Sequence, residues 1–125
     1  MTNPSPSVGW IGLGNIGAPM ARRVLDAGLP LRVWARRPAS IGSLAAAGAT
    51  VADSPEALAR GCDVVATIVG GPDDVRELHR RMIPAARRGA VFVDMTTASP
   101  DSASESGVLA ARAGARAIDA PVTGG

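Results

Sequence analysis

Near the amino end, Gly12-Leu13-Gly14-Asn15-Ile16-Gly17 forms a G-x-G-x-x-G whose residue types and spacing suit the holding of a phosphate. In that pattern the first glycine permits a tight turn and the second lets the backbone approach a pyrophosphate. The third lets the following helix pack closely on the preceding strand. The chemistry works only at a strand-to-helix junction, where free N–H groups and the positive end of the helix dipole face the anion. With 15 glycines in the chain the spacing alone could arise by chance, so its flanks must decide. Before it lies the apolar run Val8 to Ile11, which reads as a buried strand. After it, Ile16 to Ala27 reads as a helix with Ile16, Met20, Val24 and Ala27 on one face and Gly28 as its stop. A dinucleotide site is expected there; a purely structural turn is the alternative.

A second loop selects the dinucleotide. An acidic residue at the end of the second strand, about 20 residues downstream, would accept from the ribose hydroxyls of NAD. Here that strand ends Val33-Trp34-Ala35-Arg36-Arg37-Pro38, without a carboxylate. Arg36 and Arg37 instead offer planar, permanently charged groups suited to a 2′-phosphate, which puts NADP ahead of NAD. The competing reading of the same residues is a solvated basic loop.

Other reactive side chains suggest less. With one cysteine (Cys62) and one histidine (His79), an internal disulfide and a Cys-rich zinc site are excluded and no metal site is expected. Cys62 precedes an apolar strand and reads as a small buried residue, not a reactive thiol. His79 lies among arginines of a helix and is expected at the surface. Met20 reads as core. Asp94 and Asp119 stand at strand ends, where turn and cap roles are expected over paired-carboxylate catalysis.

The elements that must position these residues alternate along the chain. Further strands are read at Leu31 to Trp34, Thr50 to Ala52, Asp63 to Val69, Ala90 to Val93 and Arg116 to Asp119. Helices are read at Ser40 to Ala47, after Ser54-Pro55 as cap and first residue, at Pro72 to Ile83, and at Pro100 to Ala113. Such alternation with short connections predicts an α/β fold, a doubly wound parallel sheet of Rossmann type. The 125 residues suffice for one domain that buries about 60–68% of its unfolded surface. All 13 basic residues are arginine, against 11 acids interspersed with them, and aromatics are limited to Trp10, Trp34 and Phe92. That composition offers neither a nucleic-acid footprint nor stacking platforms, so no nucleic-acid partner is expected. No apolar stretch approaches the roughly 20 residues of a membrane span. Without a visible secretory leader, a cytoplasmic location is expected. Residues 1–7 read as a disordered tail and residues 8–125 as the dinucleotide-binding domain.

Three segments resemble the β-hydroxyacid dehydrogenases, the family of 3-hydroxyisobutyrate dehydrogenase, related more distantly to 6-phosphogluconate dehydrogenase. They are Val8 to Leu25 (VGWIGLGNIGAPMARRVL), Asp94 to Pro100 (DMTTASP, similar to the family's D-x-S-T-x-x-P) and Asp119 to Gly125 (DAPVTGG, similar to its D-A-P-V-S-G-G). The resemblance implies that Gly12, Leu13, Gly14, Asn15, Ile16 and Gly17 hold the pyrophosphate and that Arg36, aided by Arg37, meets the 2′-phosphate of NADP. It places Val69 and Gly70 beside the adenosine and ribose, Thr97 and Ala98 at the nicotinamide end, and Thr123, Gly124 and Gly125 on the carboxylate of a small hydroxy acid or semialdehyde. It further implies a helical second domain, absent here, that closes the cleft and supports a homo-oligomer. The family's catalytic residue is a lysine on a helix after the dinucleotide domain. This chain has no lysine and ends at Gly125, so it is expected to bind cofactor without catalysing alone. Two other readings stand beside this one, a stand-alone NADP-binding module and a fragment of an imine reductase.

Overall fold

The computed structural model describes residues 5–96 and 100–122. Six strands, β1 (Val8–Ile11), β2 (Leu31–Trp34), β3 (Thr50–Val51), β4 (Val64–Thr67), β5 (Val91–Asp94) and β6 (Arg116–Asp119), form one parallel sheet in the order β3-β2-β1-β4-β5-β6. Five helices connect them: α1 (Gly17–Asp26), α2 (Gly42–Ala46), α3 (Pro55–Arg60), α4 (Pro72–Met82) and α5 (Pro100–Ala113). This is the expected doubly wound Rossmann-type sheet. Its winding reverses between β1 and β4, opening a crevice at their carboxyl ends. The fourth strand is shorter than the apolar run that foretold it. After Thr67 the chain turns off the sheet, although the Ile68 N–H still donates to Ile11 O at 2.9 Å.

Side chains alternate across the sheet and build a core on each face. On one face Val8, Trp10, Val33 and Ala66 pack with Ala21 of α1 and Leu44 of α2. On the other, Ile11, Val65 and Phe92 pack with Leu58 and Ala59 of α3, Leu78 and Met82 of α4 and Ala110 of α5. Gly9 of β1 faces this second layer. A Cβ there would lie 2.6 Å from Leu58 Cδ2 and 3.0 Å from Cys62 Sγ, so the glycine lets α3 approach the sheet. Cys62 is fully buried, as expected, and burial pushes its thiol pKa up, away from the reactive thiolate. The short α3 starts on a built cap: Ser54 Oγ accepts from the Ala57 N–H at 3.0 Å, with Pro55 at the first helical position.

Two expectations are corrected. The buried stripe of α1 is Gly17 and Ala21, with Met20, Val24 and Leu25 packed beside it. Ile16 is 48% exposed and Ala27 is also exposed, because they stand at the two ends of the helix, beyond the part that lies on the sheet. His79 is not at the surface but 2% exposed. Val75, Leu78, His79 and Met82 recur at helical spacing along the inner stripe of α4. The arginines around His79 occupy the outer faces, and their charge obscured the period.

Candidate functional site

The glycine turn leaves the end of β1 and enters α1 with three glycines under three different constraints. Gly12 has φ +114°, and a Cβ there would overlap the Ile68 carbonyl oxygen, so both backbone conformation and space require glycine. A Cβ on Gly17 would overlap the Gly12 carbonyl oxygen and lie 2.9 Å from Ile68 Cγ2. Gly17 thus sets how closely α1 approaches the strand ends. Gly14 has no positive φ, and a Cβ there meets nothing within 4 Å. Nothing inside the described protein asks for glycine at Gly14; the open space above it is what an approaching pyrophosphate would fill. Trp10 Nε1 donates to Gly12 O at 2.9 Å and pins the turn from beneath. At the head of α1 the Ala18 N–H already donates to Gly14 O at 3.0 Å, and Pro19 has none, so the donors of Asn15 and Ile16 are left at the positive end of the helix.

The turn forms one wall of a cleft of about 600 Å³, a size typical of ligand sites. Leu13, Asn15 and Ile16 line it with the three glycines; Trp34, Ala35, Arg36, Arg37 and Ser40 line the side beyond β2; Ile68, Val69 and Gly70 line the side beyond β4. The structure therefore brings together ten of the twelve residues expected to meet a dinucleotide. The other two, Thr97 and Ala98, lie outside the described residues, as do Thr123, Gly124 and Gly125, the three expected to hold a substrate carboxylate.

The wall beyond β4 is held from behind by polar contacts that link the ends of β4 and β5. The Val69 N–H donates to Thr96 Oγ1 at 2.9 Å. Asp94 Oδ1 accepts from both the Thr96 N–H and Thr67 Oγ1, each at 3.0 Å. Asp94 thus has the turn role expected for it, and Thr67 stands opposite it in the strand register. Asp119, in register with Asp94 on β6, is exposed.

The basic loop is less free than its composition suggests. The Arg36 side chain is 60% exposed, and its Nη2 lies 3.3 Å from Glu77 Oε2 and 3.8 Å from Asp74 Oδ1, both on α4. Arg37 is exposed and forms no ion pair among the described residues. No carboxylate stands between the end of β2 and Asp53.

Sequence reasoning missed a polar cluster behind this wall. The His79 Nδ1 lies 2.6 Å from Ser106 Oγ of α5, and its ring meets Phe92 edge-on at 5.8 Å between centroids. With Asp94, Ser102 and Asp119, His79 and Ser106 line a cavity of about 120 Å³, and His79 Nε2 has no partner among the described residues. Burial lowers the His79 pKa, opposed by the Asp94 charge, so the imidazole is neutral. The signal that could have found it was the i, i+3, i+4, i+7 recurrence in α4. Among the described residues no group of three or more His, Cys, Asp or Glu is placed to hold a metal.

Comparison with known proteins agrees with this geometry. Residues 7–125 match the family model described as the NAD binding domain of 6-phosphogluconate dehydrogenase. An Arabidopsis thaliana protein named probable 3-hydroxyisobutyrate dehydrogenase-like 1, mitochondrial, is 40% identical over 129 residues, which span all of this chain and 39% of that protein. The 3-hydroxyisobutyrate dehydrogenase of Mycobacterium tuberculosis, solved with L-serine, superposes with a TM-score of 0.90 at 34% identity, covering 97% of this chain and 42% of that one. Psf3, solved with NADP+ and 2-OPP, superposes with a TM-score of 0.86 at 32% identity, covering 94% of this chain and 43% of that one. The chain thus spans about two-fifths of the length of these relatives.

Proposed function

This chain belongs to the family of NAD-binding domains described for 6-phosphogluconate dehydrogenase, and on that premise we propose that it is the NADP-binding part of an oxidoreductase resembling 3-hydroxyisobutyrate dehydrogenase. The whole protein would move a hydride between NADP(H) and a small 3-hydroxy acid or semialdehyde. The nicotinamide, when bound, supplies the hydride chemistry. Gly12 and Gly17 shape the turn, and Gly14 leaves its surface open to the pyrophosphate. Asn15 and Ile16 present N–H donors to that anion, and Thr96 steadies the Val69 backbone along the adenosine side. Arg36 and Arg37 would face the ribose 2′-position. With no lysine among its 125 residues, the chain lacks the proton-transferring group of the family it resembles and is proposed to bind cofactor without turning over substrate alone.

The observation that carries the choice of NADP is the end of β2, where two arginines line the cleft and no carboxylate follows the strand. Titration of the protein with NADPH and with NADH tests it. NADPH is expected to bind more tightly, and the double variant Arg36→Ala/Arg37→Ala to weaken NADPH selectively, by about 1–3 kcal/mol if two charge-assisted contacts are lost. Equal affinity for both dinucleotides, unchanged in the variant, overturns the choice.

A further inference from the structure

We infer that Glu77 and Asp74 of α4 restrain Arg36 and compete with the 2′-phosphate for it, so that α4, and not the loop after β2 alone, sets how strongly the cleft prefers a phosphorylated dinucleotide. The inference rests on the NADP reading and extends it to residues that line no part of the glycine turn. Two independent placements carry it. Arg36 reaches across to α4, with Nη2 at 3.3 Å from Glu77 Oε2 and 3.8 Å from Asp74 Oδ1. Asp74 also leans over the cleft wall, since a Cβ on Gly70 would lie 2.8 Å from Asp74 Oδ2. The α4 carboxylates therefore stand just outside the cleft lining, against Arg36 and, for Asp74, beside Gly70.

Charge arithmetic at that rim follows. Arg36 and Arg37 supply two positive charges and Asp74 and Glu77 two negative ones, so the loop that looks strongly basic in sequence is locally balanced. A dinucleotide with free ribose hydroxyls meets little field there. A dianionic 2′-phosphate must take the Arg36 guanidinium from two carboxylates and then sit near them. All three side chains are largely in water, at 60%, 43% and 56% exposure for Arg36, Asp74 and Glu77, so each existing ion pair is weak and the exchange is open to a phosphate. What remains after the exchange is repulsion between carboxylate and phosphate, which lowers NADP affinity below what two arginines would give.

The test measures dissociation constants for NADPH and NADH in the wild-type protein and in Glu77→Gln. Asp73→Asn is the charge-matched control, because Asp73 is fully exposed on the same helix and pairs with Arg76, not Arg36. Glu77→Gln is expected to tighten NADPH by about three- to tenfold at low salt, to leave NADH within about twofold, and to lose part of its advantage as salt screens the rim. Asp73→Asn is expected to move neither by more than about twofold. Unchanged NADPH binding in Glu77→Gln overturns the inference. So does weaker binding, which would mean the carboxylate aims the arginine at the phosphate. An equal gain in Asp73→Asn overturns it too, by showing only a general charge effect. A wild-type preference for NADH sinks the NADP reading separately, and the restraint on Arg36 is then judged by whether Glu77→Gln still tightens NADPH.

Discussion

Adding one methyl group to Gly14 and to Gly17 should have opposite consequences, and the contrast tests the site more sharply than loss of the whole motif. At Gly17 the new Cβ overlaps the Gly12 carbonyl oxygen and lies 2.9 Å from Ile68 Cγ2. That carbonyl cannot swing aside freely because it accepts from Trp10 Nε1 at 2.9 Å. Helix α1 must withdraw from the strand ends, at a cost of about 2–3 kcal/mol. For a domain of this size each kcal/mol lowers the thermal midpoint by about 3–5 °C, so Gly17→Ala is expected to melt about 6–15 °C lower. At Gly14 the backbone is unstrained and no atom lies within 4 Å of the Cβ. Gly14→Ala is therefore expected to leave the fold intact and even to stabilise it by about 0.4–1 kcal/mol, through a less disordered unfolded chain. Its methyl group would occupy the space through which the pyrophosphate approaches, costing about 1–3 kcal/mol of binding, or about 5- to 150-fold in affinity. Thermal denaturation and dinucleotide titration of both variants separate the two effects. A Gly14→Ala protein that melts normally and binds within about twofold of wild type would refute the placement of the phosphates at this turn.

Two further outcomes follow from the described side chains. Because burial lowers the His79 pKa in the folded protein, the unfolded chain takes up that proton first as pH falls below 6.5. The stability held at neutral pH is thus expected to decline from about pH 6.5 downward until the lowered folded pKa is passed; urea midpoints against pH should show this slope in wild type and lose it in His79→Gln. Ser54→Ala removes the oxygen that accepts the Ala57 N–H and is expected to cost about 1 kcal/mol, visible as a midpoint lower by about 3–5 °C with dinucleotide affinity unchanged.

The frame was legible because its signals are local. The central strands β1, β4 and β5 are short runs dominated by apolar and β-branched residues, each helix begins on Pro or Gly, and alternation of the two leaves few topologies. The glycine turn was legible for the same reason, since strand, turn and helix are contiguous from Val8 to Asp26. What failed was the assignment of faces. The arginines of α4 point to a surface His79, yet its neighbours Val75, Leu78 and Met82 mark the inner stripe at helical spacing. Ile16, expected on one helical face with Met20 and Val24, is the residue before the first turn of α1 and so stands off that face. A one-residue shift rotates a helix by about 100°, enough to move an end residue from the core to the cleft.

The site divides along the same line between local and distant. The glycine turn is built from six consecutive residues, so its spacing together with the strand and helix that flank it could point to it. The side beyond β2 is built from segments that meet only in the fold: Arg36 follows β2, its carboxylate partners Asp74 and Glu77 lie 38 and 41 residues further on, and the wall opposite is tied by Asp94 and Thr96 to the end of another strand. No local pattern could announce that Arg36 faces two acids, because each segment taken alone looks like an ordinary solvated surface. In a parallel sheet whose ligand crevice lies at the carboxyl ends of several strands, every wall comes from a different stretch of chain. Sequence motifs therefore report where such a cleft is, while the ion pairs that hold its side chains form between segments that only the fold brings within a few ångströms of one another.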